Sequence, residues 1–163
     1  SREHIAMELR QSELFDVLDD ATISSLAELA PVEVFGPGEV VVREGDDGSS
    51  LFIVLKGTLD VSVDESIVGS IHEDSFFGEM SLLTGEPRSA TVRASSEVWL
   101  AEVTKDLLEP IFTSNPSVLE RLSSILAERE ARTRVSQATG GGSAAGSLRQ
   151  EDYLERLKLF FRL

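Results

Sequence analysis

The sequence predicts an α+β fold, an antiparallel sandwich or roll of short strands flanked by helices. Three observations predict it. Apolar residues recur at helical spacing before Pro31 and again from Lys105. Between those regions, short β-branched runs alternate with tight glycine-containing turns. The chain has 163 residues, 41% of them hydrophobic, which suffices for one domain with its own core plus appendages.

Over residues 1–30 the helical period runs through Ile5 and Leu9, then Leu14, Phe15 and Leu18, then Ile23 and Leu26, with Asp20 and Thr22 as the expected caps. Two or three short amphipathic helices follow from it. The β-region, residues 31–104, begins with VEVF, EVVV, LFIVL, TLDVSV and SIVGSI, punctuated by GPG, GDDGSS, KG and DE. Residues 73–88 break this pattern, and GEMSLL is the one good helical stretch within them. Strand character returns in SATVRA and EVWLAEV. Over 105–134, Leu107, Leu108, Ile111 and Phe112 give one helix. Pro116 opens a second, with Val118, Leu119, Leu122, Ile125 and Leu126 on one face. Residues 135–147 include TGGGSAAGS, a flexible linker by composition. Residues 148–163 space Leu154, Leu157, Phe160 and Phe161 as a short amphipathic helix, suited to docking on a membrane surface or a partner helix, or to fraying as a terminus. No internal repeat is visible.

Charge and composition narrow the function. Twenty-nine acidic residues against 15 basic give a net charge of -14, which repels nucleic-acid phosphates, so no nucleic-acid partner is expected. Without cysteine there is no disulfide or thiolate site, and His4 and His72 alone could offer imidazole to a metal. A β-roll metalloenzyme of cupin type needs clustered ligands that two distant histidines do not supply. No Ser/His/Asp arrangement is credible, so no catalytic residue is expected. No run of 18 apolar residues and no signal-like start occur, which points to a soluble chain in a reducing, cytosolic setting. The start at Ser1 suggests a piece of something longer.

The informative stretch is FFGEMSLLTGEPRSATVRA, residues 76–94. Gly78 lets backbone approach a bound group, and a short helix after it presents unpaired N–H groups to an anion. Arg88, between a turn proline and a strand, offers a planar fork of donors that suits phosphate. Glu79 would repel a phosphate by itself, but it can accept hydrogen bonds from a sugar hydroxyl. An ordinary turn, with Arg88 paired to Glu79, accounts for the same residues. Physics alone leaves both readings open.

The stretch resembles the phosphate-binding cassette of cyclic-nucleotide-binding domains, the family of protein kinase A regulatory subunits, cyclic-nucleotide-gated channels and bacterial catabolite activators. The shared pattern is FGE, an apolar residue, a small residue and LL, then PR, a small residue, ATV and Ala94. GPGEVVVREGDDGSSLFIVLKG resembles the family's strand and turn signature, so the resemblance spans roughly residues 12–134. It implies an eight-stranded, jelly-roll-like β-roll with N-terminal helices, a short cassette helix and two C-terminal helices. It implies a cyclic-nucleotide ligand, with Arg88 on the cyclic phosphate, Glu79 on the ribose 2′-hydroxyl and backbone N–H groups around Gly78, Met80 and Ala90 completing the cradle. Ser81 belongs to the same cradle.

Ser89 leaves the base open. In the family an alanine at this position is typical of cyclic AMP (cAMP) sites, and a hydroxyl helps accept cyclic GMP (cGMP), yet many bacterial members with PRSAT use cAMP. A strand-start serine bonding its own backbone is the plain alternative. Arg129 continues the apolar face of the second C-terminal helix and either stacks over the purine, as in one branch of bacterial channel domains, or snorkels at the end of the face. Val40, Val42 and Phe76 either line the base pocket or serve as core.

No helix-turn-helix domain and no kinase motif such as HRD or DFG is present, so the effector is expected outside this chain. The linker followed by a helix ending FFRL resembles cytosolic tails of bacterial channels of the small-conductance mechanosensitive type. That resemblance implies a membrane channel as effector, and the effector as the route to any homo-oligomer. The expected mechanism is a population shift in which ligand favours C-terminal helices folded over the cassette. A degenerate, ligand-free scaffold for protein association is the alternative.

Overall fold

The structure is a computed structural model that describes residues 2–12, 15–78, 81 and 85–138, with the side chains of 126 and 129–138 outside that description. Two helices lead the chain, α1 (Arg2–Gln11) and α2 (Asp20–Leu29). The cap of α2 is Asp19, one residue before the expected Asp20. Its carboxylate accepts the Thr22 N–H at 2.8 Å, which also holds its pKa below the usual aspartate value. The N-cap bond reaches three residues ahead, and only Asp19 has that spacing to Thr22.

Among the described residues eight strands follow: β1 (Val32–Phe35), β2 (Val40–Val42), β3 (Ser50–Lys56), β4 (Leu59–Val63), β5 (Ser66–Ile71), β6 (Phe76–Phe77), β7 (Thr91–Ala94) and β8 (Val98–Thr104). They form two four-stranded sheets, ordered β1-β8-β3-β6 and β2-β7-β4-β5, with every pairing antiparallel. The expected β-roll and its flanking helices are present. One strand was not foreseen. β6 lies inside the stretch read as a break, where Phe76 and Phe77 pair with Ile53 and Phe52 of β3. Two residues are too few to show a period; the pairing, reinforced by Phe52 and Phe77 rings stacked at 5.1 Å, is a tertiary fact.

Two apolar cores share the first sheet. On its outer face Leu51, Ile53 and Leu55 of β3 meet Ile5, Leu9, Ile23, Leu26 and Phe112 from the helices. On its inner face Phe52 and Val54 meet Leu59, Phe77 and Val92, closing the space between the sheets. β3 is therefore buried on both sides, which is why LFIVL reads as an unbroken apolar run instead of an alternating one.

After β8, Thr104 caps α3 (Lys105–Ser114) by accepting the Leu107 N–H at 3.3 Å. The chain breaks at Asn115, whose side-chain amide and backbone N–H both donate to the Ile111 carbonyl, at 3.1 and 2.8 Å. Pro116 then opens α4 (Pro116–Ala138). Val118, Leu119, Leu122 and Ile125 are buried, as their spacing predicted. The helix outlasts the expected end at Arg134, because no glycine or proline stands between Pro116 and Gly140. Among the described residues no helix is long and apolar enough to cross a membrane.

Candidate functional site

Arg88, just before β7, is clamped by its backbone to the turn between β2 and β3. Its N–H donates to the Asp46 carbonyl and its carbonyl accepts from Gly45, both at 2.8 Å. The side chain is 7% exposed. Nη1 donates to the carbonyls of Ser50 at 3.0 Å and Gly78 at 3.2 Å, and Cζ lies 5.7 Å from the centre of the Phe52 ring. These two carbonyls and the ring orient the cation.

Two glycines shape the slot. A Cβ on Gly48 would collide with the guanidinium, and one on Gly78 would lie 2.7 Å from Nη1 and 2.9 Å from the Ser50 carbonyl. Gly78 also has a φ of +88°, a left-handed conformation that side chains resist. The resemblance singled out Gly78 but not Gly48 or Ser50.

Arg88 opens on a cavity of about 470 Å³, lined by Gly78, Ser81, Ser89 and Ala90 together with Val42, Val61, Ile71, Phe76, Phe77 and Val92. That volume suits a small organic ligand. Ser81 is buried, Ala90 half-buried and Ser89 exposed. Val42 and Phe76 line this cavity as considered, whereas Val40 lines a different one. Glu79 and Met80 lie outside the described residues, and Arg129 is placed in α4 with its side chain outside the description. Sequence reading missed Ser70 and His72, which share a hydrogen bond at 3.2 Å between Oγ and Nε2 and line the same cavity. The even spacing of Ser70, on β5, and His72, just after it, was the available signal.

Arg88 also borders a second cavity of about 610 Å³, between the sheets, lined by Glu33, Asp46, Asp47, Gly48, Ser50, Phe52 and Glu102 among others. Burial first, then the adjacent Glu102, pushes the Glu33 carboxyl up to about 7.

A ligand-sized cavity of mixed apolar and polar wall, with the oriented Arg88 cation at its border, is the geometry expected of a site for an anionic organic molecule. Residues 32–115, just over half of the chain, match the cyclic nucleotide-binding domain family. The chain belongs to that family. The match is narrower than the span of roughly 12–134 read from the sequence; it takes in both sheets and α3 but not the leading helices or α4. This cyclic nucleotide-binding domain is 32% identical over 108 residues to the cGMP-dependent protein kinase of Plasmodium berghei (strain Anka), and 30% identical over 148 residues to that of Eimeria tenella. Those alignments take in 66% and 90% of this chain but only 13% and 15% of the two kinases. A cyclic nucleotide-binding domain from Methylobacillus flagellatus shares the fold, with a TM-score of 0.71 and 22% identity over 89% of this chain and 86% of that one. The regulatory domain of Toxoplasma gondii PKA, in a co-crystal structure with cAMP, superimposes with a TM-score of 0.66 and 27% identity over 98% of this chain and 57% of that one.

Proposed function

We propose that this domain is a regulatory sensor that holds a cyclic nucleotide in the 470 Å³ cavity with the cyclic phosphate on Arg88. The observation that carries the reading is the guanidinium itself, almost fully buried at the border of the cavity and held by two backbone carbonyls in a slot that two glycines keep open. A buried cation so held favours an anionic partner, since its own hydration has already been lost. Gly78, Ser81, Ser89 and Ala90 line the same space, and Glu79 is assigned the ribose hydroxyl by the motif it belongs to.

The base we infer is adenine, in line with the cAMP complex of the Toxoplasma gondii regulatory domain. Guanine is the second reading, favoured by the cGMP-dependent kinases among the relatives and by the exposed Ser89 beside Arg88. Both relatives being kinases, they support a kinase as effector and lend none to the channel suggested by the C-terminal residues. Transmission is a population shift of α3 and α4 about the break at Asn115 and Pro116. Amides of both helices should gain hydrogen-exchange protection when nucleotide is added; unchanged protection would remove this mechanism.

Calorimetric titration with cAMP and with cGMP tests the site and names the base. Micromolar or tighter binding is expected. Arg88→Ala should cost about 3 to 5 kcal/mol, or about two to four decades in affinity, because a buried phosphate loses its counter-charge. A domain that stays folded and binds neither nucleotide would be a ligand-free scaffold.

A further inference from the structure

We propose that Glu102 and Glu33, acting through Ser50 of β3, are positioning residues for Arg88, and that they make its affinity for an anionic ligand fall as pH rises. The inference rests on the nucleotide site proposed above. Ser50 is the link. Its carbonyl accepts from Arg88 Nη1 at 3.0 Å, while its hydroxyl donates to Glu102 Oε1 at 2.9 Å. The residue is 7% exposed; its bond to Arg88 is buried and its bond to Glu102 partly so. One residue thus ties the cation that faces the ligand cavity to a carboxylate on the neighbouring strand β8, in the second cavity that Arg88 also borders.

Glu102 does not stand alone in the second cavity. Glu33 comes from β1, Glu102 from β8, and Arg43, Asp46 and Asp47 from the segment between β2 and β3; Arg88 is the charged group shared with the ligand cavity. Four acids therefore surround two arginines, and the least comfortable charge among them is on the Glu33 and Glu102 pair. Burial and the Glu102 carboxylate raise Glu33 to about 7, so Glu33 gives up its proton near neutral pH.

The sign follows from linkage. A phosphate in the ligand cavity makes a further negative charge in the second cavity beside Arg88 more costly, so ligand binding favours the protonated form of Glu33. Binding then takes up a proton, and affinity must fall as pH rises through about 7. With partial screening the expected loss is about threefold to tenfold between about pH 6 and pH 8. The cyclic phosphodiester keeps a single charge over that range, so the ligand adds no slope of its own.

The experiment is the titration of the whole chain with cAMP and cGMP at about pH 6, 7 and 8, for the wild type, Glu102→Gln and Glu33→Gln, with melting curves to confirm folding. The wild type should lose affinity as pH rises, and either amide variant should bind with a flat profile close to the wild type's low-pH affinity. A slope that came from His72, which lines the ligand cavity, would persist in both variants and overturn the proposal. A flat wild-type profile with measurable binding overturns it equally, while leaving the nucleotide site intact. No binding of either nucleotide at any pH would remove the site and this inference together.

Discussion

Gly48 packs its bare α-carbon against the Arg88 guanidinium, and nothing larger fits there without moving the cation. Gly48→Ala should therefore weaken nucleotide binding about tenfold or more while changing the melting temperature less, since Gly48 is half-buried and belongs to neither apolar core; titration paired with thermal melting separates the two effects. Gly78→Ala should do both, because a side chain at a φ of +88° adds backbone strain of about 1 kcal/mol or more. Arg88 and Gly78 were legible in the sequence because an arginine after a turn proline and a glycine opening a short helix are local patterns. Gly48 and Ser50 were not. Within GDDGSS they read as turn residues, and what brings Ser50 to Arg88 is the packing of one sheet on the other, across 38 positions of chain.

α1 is docked through an uncomfortable acid. Glu8 is 8% exposed, with His4 Nε2 3.3 Å from its Oε1, while Oε2 is buried without a hydrogen-bond partner among the described residues. Burial, then Asp74 and Glu73 of the turn after β5, raises its carboxyl from 4.5 to about 7. A carboxyl raised by folding holds its proton better in the folded state than in the unfolded one. Stability is then lost as pH climbs from about 4.5 to about 7 and levels off above that, and Glu33 adds a slope of the same sign. Chemical denaturation at about pH 5 and pH 8 should show the difference, on the order of 1 kcal/mol for each acid, and Glu8→Gln should remove its share. On α3, Phe112 is 2% exposed at the junction of the helices with β3, so Phe112→Ala should cost about 3 to 5 kcal/mol. The helices were legible because several turns of a repeating face outweigh any single residue. β6 was not, and the cap of α2 was misplaced by one, because a two-residue pairing and a single side-chain bond leave no period to read.

At the scale of the molecule, the arrangement as a roll followed from short β-branched runs between tight turns, but the sheet orders did not, since period and turn chemistry say nothing about which strands become neighbours. That order places β3 at the centre of everything described above. Its odd-numbered apolar residues hold the helices, and its even-numbered ones hold the second sheet and support Arg88. A deletion of one residue within Leu51–Leu55 would hand each set to the wrong side, so the strand tolerates substitution in kind but no change in length. The same geometry makes folding a single event. Fluorescence of Trp99, the one tryptophan, set on β8 beside β3, should melt together with the helical circular dichroism. Lineages descended from such a domain would be free to diversify the rim of the cavity and the helix ends, yet they would inherit this strand at constant length, as the ruler against which the rest is aligned.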